Sequence, residues 1–137
     1  MKTRGRAFIG ALVVCALAPT AQPLIERVWR IYSLATQEPA AALPNPLASQ
    51  RPLRIVDSWG NPRSRGRRHQ GIDIFAPKDT PVVSTTSGLV TRVGTNNLGG
   101  QVVWILGPGL ERHYYAHLSR YGEFRPGDRV EAGAVIG

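Results

Sequence analysis

The residues best suited to chemistry are few. His69, His113 and His117 are the three histidines of the chain, and a carboxylate, Asp73, follows the first at a spacing of four. Side chains alternate along a strand, so residues two or four apart share a face. On that geometry His69 and Asp73 can meet one ion, and His113, Tyr115 and His117 can face the same side. An imidazole nitrogen and a carboxylate oxygen suit a divalent borderline metal, most often zinc, with a position left for water. Zinc lowers the pKa of bound water from about 15.7 to roughly 7, and a neighbouring imidazole can then serve as base or orient an oxyanion. A His-x-x-x-Asp pair on its own is weak evidence, and an exposed or capping role suits it better.

The pair sits in a longer pattern. His69-Gln70-Gly71-Ile72-Asp73 runs on into Ala76-Pro77, then Thr80-Pro81-Val82 and the stretch Gly88 to Gly94. Downstream come Tyr115-Ala116-His117-Leu118 and the segment from Arg125-Pro126-Gly127-Asp128 through Val130 and Gly133 to Gly137. In this order the motifs, spanning residues 57–137, resemble the LytM/lysostaphin family of zinc metalloendopeptidases, hydrolases of peptidoglycan with the duplicated hybrid motif fold.

The resemblance implies Zn2+ held by His69 and Asp73, with His117 as a catalytic histidine that polarises the scissile carbonyl. It leaves His113 a variable position suited to packing or to a supporting hydrogen bond. Tyr115 suits either substrate contact or a core role, and Arg68 is a further candidate for substrate contact. The family's next step, a His-x-His segment with the third ligand and another catalytic histidine, has no counterpart before Gly137. The resemblance therefore implies a C-terminally truncated domain with impaired catalysis. The alternative is a non-catalytic module of the same fold that binds the cell wall or regulates other hydrolases.

The elements that must position these residues are strands. Fifteen glycines and eleven prolines, with β-branched and aromatic residues in short runs, favour a turn-rich β protein. Strands are expected over 53–56, 71–75, 81–84, 88–94, 101–106, 113–118 and 129–130, separated by turn signals such as Asn96 to Gly100 and Gly107-Pro108-Gly109. This pattern describes an all-β antiparallel sandwich or barrel, incomplete at its C-terminus, over residues 53–137. In Val102 to Leu106 apolar residues fill both faces, which places Trp104 in the core.

Residues 23–52 read as a short amphipathic helix and a linker. Leu24, Ile25, Val28, Ile31, Tyr32 and Ala35 recur at helical spacing over 24–35. Pro39, Pro44, Pro46 and Pro52 then predict an extended, poorly packed segment. Residues 1–22 carry Lys2, Arg4 and Arg6 before the apolar run Ala7–Ala18 and end in small residues, the layout of an export signal or an N-terminal anchor. The apolar run falls short of the roughly 18 residues of a spanning helix. Export to the periplasm or cell envelope follows, with membrane contact confined to residues 1–22 if they are not removed.

The net charge is +8, and the only lysines are Lys2 and Lys78. Arg51, Arg54, Arg63, Arg65, Arg67 and Arg68 crowd one segment beside the metal motif. Guanidinium forks pair with carboxylate or phosphate, so Arg51–Arg68 suit an anionic cell-wall polymer. Nucleic acid is not expected, since no helical or aromatic reading elements accompany the charge. Cys15, the single cysteine, excludes a disulfide framework and a thiolate metal site.

Overall fold

The computed structural model describes residues 22–47, 49 and 51–137. The export or anchor segment expected over 1–22, Cys15 included, lies outside the described residues except for Gln22. The chain opens with a helix, α1 (Gln22–Ala35), and continues as antiparallel strands. These are β1 (Arg54–Val56), β2 (Asp73–Phe75), β3 (Gly88–Asn96), β4 (Gly100–Leu106), β5 (Arg112–Leu118) and β6 (Arg129–Val130). β1 and β2 form a two-stranded ribbon, and the rest form a four-stranded sheet in the order β5-β4-β3-β6.

Local chemistry explains the turns. Between β3 and β4 the Asn96 side-chain oxygen accepts the backbone N–H groups of Leu98 (2.9 Å) and Gly99 (2.6 Å), while Gly100 takes φ +60°. An asparagine that bonds its own following backbone closes such a turn. At 125–128 the Asp128 N–H donates to the Arg125 carbonyl at 3.0 Å, with Pro126 and then Gly127 at φ +101° in the central positions. Proline followed by a positive-φ glycine is the pattern of a type II turn.

The core is the inner face of the large sheet. Val90, Val103, Ile105, Tyr115, Leu118, Val130 and Ile136 form one buried cluster. Each large aliphatic side chain so buried contributes about 1.5–3 kcal/mol. Trp104 departs from the expected core role. It alternates with Val103 and Ile105 and is only partly buried, with its ring 4.3 Å from that of Tyr114 and the Arg112 guanidinium 4.5 Å above it. The aromatic and cationic neighbours give the opposite face of β4 its own packing.

Two further expectations are corrected. The stretch 81–84 is not a continuous strand: only Val83 bridges, to Val135, although backbone bonds also join Val82 to Ile136 and Gly137 and Ser84 to Gly133 and Ala134. The segment expected to pack poorly is docked on the domain. Leu47 is buried, the Val83 N–H donates to the Pro46 carbonyl at 2.8 Å, and Asn45 ties down Leu47 with bonds of 2.7 and 2.8 Å. Proline did not prevent packing here: the Pro46 carbonyl accepts a bond from the domain and the Leu47 side chain that follows is buried.

His113, on β5, stands beside a small polar cluster inside the sheet. Thr85 Oγ1 lies 2.8 Å from the Tyr115 hydroxyl and 3.4 Å from His113 Nδ1, and the Thr85 N–H donates to the same phenol at 2.8 Å. Burial pushes the pKa of His113 below its ordinary value, partly offset by Glu111. The unfolded chain then binds the proton more readily, so stability rises with pH through this group's titration. Stability is full above about pH 6.5, the ordinary histidine value, and falls as pH drops from there toward the depressed folded value. Thermal melts between pH 7.5 and 5 should show this loss, and His113→Asn should flatten it; an unchanged slope in that variant would remove His113 as its source.

Candidate metal site

The ribbon β1-β2 places the candidate ligand Asp73. Val56 pairs with Asp73, so Ser58, two residues beyond Val56, arrives beside the Asp73 carboxylate. The chain then leaves in a narrow excursion that returns as His69. The Gly60 N–H donates to the His69 carbonyl (2.8 Å), the His69 N–H to the Asn61 carbonyl (2.9 Å), and Pro62 bridges Arg68. At the tip Arg65 and Gly66 both take positive φ, 61° and 70°. His69 and Asp73 therefore meet, as expected, but across a bend at Gly71 and not along one strand.

Their polar atoms are sorted. His69 Nδ1 lies 3.1 Å from the Ser58 carbonyl and 2.9 Å from its Oγ. A carbonyl can only accept, so Nδ1 carries the proton and, in the neutral ring, Nε2 keeps its lone pair. The Ser58 hydroxyl, accepting from Nδ1–H, donates its own proton to Asp73 Oδ2 at 2.9 Å, and Arg63 donates to the same oxygen at 3.2 Å. The remaining carboxylate oxygen, Oδ1, faces Nε2 at 3.5 Å. Asp73 is held below the ordinary aspartate pKa, chiefly by the Ser58 hydrogen bond; burial opposes this, and His69 and then Arg63 lower it further by smaller effects.

Two electron-pair donors facing each other at 3.5 Å need a proton or a cation between them. Tetrahedral zinc with nitrogen and oxygen ligands at about 2.0–2.2 Å separates those ligands by roughly 3.4 Å, so the donor pair fits the ion. Fixing one imidazole nitrogen by a carbonyl is also how metal-bound histidines are oriented. Gly71 keeps the approach open, since a Cβ there would stand 3.4 Å from Nε2. Among the described residues no group of three or more His, Cys, Asp or Glu side chains is placed to hold a metal ion.

Residues 67–137 match the family described as Peptidase family M23. The chain belongs to this family. The M23 chain is 38% identical over 99 residues to the L-Ala–D-Glu endopeptidase of Bacillus subtilis, covering 70% of the chain and 30% of that protein. It is 32% identical over 97 residues to the peptidoglycan DD-endopeptidase ShyC of Vibrio cholerae, covering 66% of the chain and 22% of that protein. It thus spans less than a third of the length of either relative. Its fold is similar to the catalytic domain of the antimicrobial peptidase lysostaphin from Staphylococcus simulans, with a TM-score of 0.57 and 34% identity over 62% of this chain and 66% of that one.

The other expected site residues of the M23 chain have distinct surroundings. His117 is exposed on β5, with φ +57° and its N–H donating to the Gly99 carbonyl at 2.7 Å. The ladder shifts here: Val103 pairs with Tyr115 but Gln101 with Leu118, so β5 carries one extra residue. That bulge breaks the alternation that would have put His113, Tyr115 and His117 on one face. Of the two roles open to Tyr115, substrate contact and core, it takes the core one, at 9% exposure with its hydroxyl bonded to Thr85. Arg68 remains on the surface, donating to the Gly60 carbonyl at 3.1 Å. Two residues were not anticipated, Ser58 and Arg63. A serine that bridges partners 11 and 15 positions away leaves no periodic trace, and Arg63 was hidden among its arginine neighbours.

Proposed function

We propose that this chain is a zinc-dependent endopeptidase of the cell envelope that hydrolyses peptide cross-links in bacterial peptidoglycan. The observation that carries the proposal is His69 Nε2 facing Asp73 Oδ1 at 3.5 Å, with Nδ1 turned to the Ser58 carbonyl at 3.1 Å. The endopeptidase names of the relatives support the substrate class. Zinc held by these two atoms would supply Lewis acidity toward a peptide carbonyl and a water nucleophile near neutral pH.

The chain's own residues supply the rest. Ser58 keeps the His69 proton on Nδ1 and holds Asp73 ionised; Arg63 fixes the outer carboxylate oxygen. His117 projects from a bulge, a common device for aiming a side chain at a site; we assign it to donate a hydrogen bond to the oxyanion. The alternative reading is a non-catalytic module of the same fold that binds the wall or regulates other hydrolases; among the described residues His69 and Asp73 form a pair and not a group of three.

Muropeptide release separates the two. With zinc supplied, the 137-residue chain should release muropeptides, and a chelator or His117→Ala should stop it; no release at any zinc concentration leaves the binding module. Arg51, Arg54, Arg65 and Arg67 are exposed and suit an anionic wall polymer. Wall binding should weaken steeply with salt, given a Debye length of about 8 Å at physiological ionic strength; binding indifferent to salt would remove the arginines from this role.

A further inference from the structure

Helix α1 is mounted with its apolar side outward. Its polar edge faces the domain: Arg30 donates to the Gly127 carbonyl at 3.2 Å, and Arg30, Ser33 and Leu34 line a shallow cleft with Gly88, Leu89 and Arg129. The opposite side carries Leu24, Val28, Trp29, Ile31 and Tyr32, exposed by 65, 58, 65, 36 and 59%. At 100° per residue these five span one continuous face, and none of the helix's residues is buried. Trp29 and Tyr32 meet edge to face, with ring centroids 5.7 Å apart. A surface helix ordinarily turns such a stripe toward its own core.

The sequence indicates what covers it. The apolar run Ala7–Ala18, preceded by Lys2, Arg4 and Arg6, is separated from Gln22 by only three residues. The four Cα steps from Ala18 to Gln22 reach at most about 14 Å, less than half a hydrocarbon core of about 30 Å. Any bilayer that takes up the run therefore brings α1 to its surface. Tryptophan and tyrosine favour that interface, and a chain of net charge +8 is drawn to anionic headgroups.

We propose that α1 lies in the plane of an anionic lipid surface, with Leu24, Val28, Trp29, Ile31 and Tyr32 in the acyl boundary. Membrane contact then extends past residue 22, and the Arg30–Gly127 bond couples the bilayer to the β domain. The proposal does not depend on the metal site.

The test uses the full chain and vesicles of phosphatidylethanolamine and phosphatidylglycerol with brominated acyl chains. The part of the tryptophan emission lost in Trp29→Phe belongs to Trp29, and this part should be quenched by the brominated lipid. Val28→Glu with Ile31→Glu should return it to the unquenched level while the circular dichroism stays unchanged. Trp29 emission indifferent to brominated lipid, whether or not the chain floats with the vesicles, would overturn the proposal. So would a Trp29 blue shift that appears without lipid as protein concentration rises, which would make a second copy the occupant. Shielding of Trp29 from acrylamide in the dilute, lipid-free chain would assign the face to residues 1–21 and also overturn it.

Discussion

His69→Ala is expected to weaken zinc binding by more than about a hundredfold, because changes to outer partners alone typically cost 10–100-fold and this one removes a ligand. What remains is Asp73, whose Oδ2 is already occupied by Ser58 and Arg63. The fold should persist, since His69 sits in a surface excursion outside the buried cluster. Ser58→Ala provides the graded comparison. Both ligands stay, and so does the backbone carbonyl that accepts from Nδ1, but the hydroxyl joining imidazole to carboxylate is lost; a weakening of about 10–100-fold is expected. Competition with a chromophoric chelator reads both. Equal zinc affinity for His69→Ala and the parent chain would mean that the ion binds elsewhere.

Gly88→Ala should produce the largest loss of stability. Gly88 begins β3 between two partners, and an added Cβ would fall 2.2 Å from the Leu106 carbonyl oxygen, 3.0 Å from its carbon and 3.1 Å from Ile105 Cγ2. The obstruction is mainly backbone within the sheet, so no side-chain rotation relieves it. Relief requires β3 and β4 to part where Leu89 and Leu106 pair, above the fully buried Val90 and Ile105. Overpacking commonly costs about 1–3 kcal/mol, and a clash with ladder backbone belongs at or above the top of that range. Chemical denaturation checks it: a midpoint within error of the parent would show that the sheet opens here at little cost.

Much of the β domain was legible because its signals are local. Alternation and turn residues marked strands close to β3, β4 and β5, and the Asn96 and Gly107 turns lie where glycine and asparagine announced them. The meeting of His69 and Asp73 was legible too, although a regular strand was the wrong reason for it. What escaped depends on tertiary geometry. The extra residue at His117 shows only when Gln101 finds Leu118 as partner, and Ser58 gains meaning only when the β1-β2 register brings it beside Asp73. Periodicity likewise marked α1 as amphipathic but carried no information on which side would face the domain.

The Ser58 hydroxyl also ties together two pieces of backbone that are bonded differently. β2 is a laddered strand, whereas the 60–69 excursion is a narrow surface loop held by a few backbone bonds. Bonded at 2.9 Å to both His69 and Asp73, the hydroxyl makes a displacement of one side chain drag the other. Opening of the loop and fraying of the ribbon then become one cooperative event, so amide exchange at Asn61, Arg63 and His69 should follow that of the β1-β2 pairs. Severing the link in Ser58→Ala would let the loop fluctuate alone, even before any metal arrives.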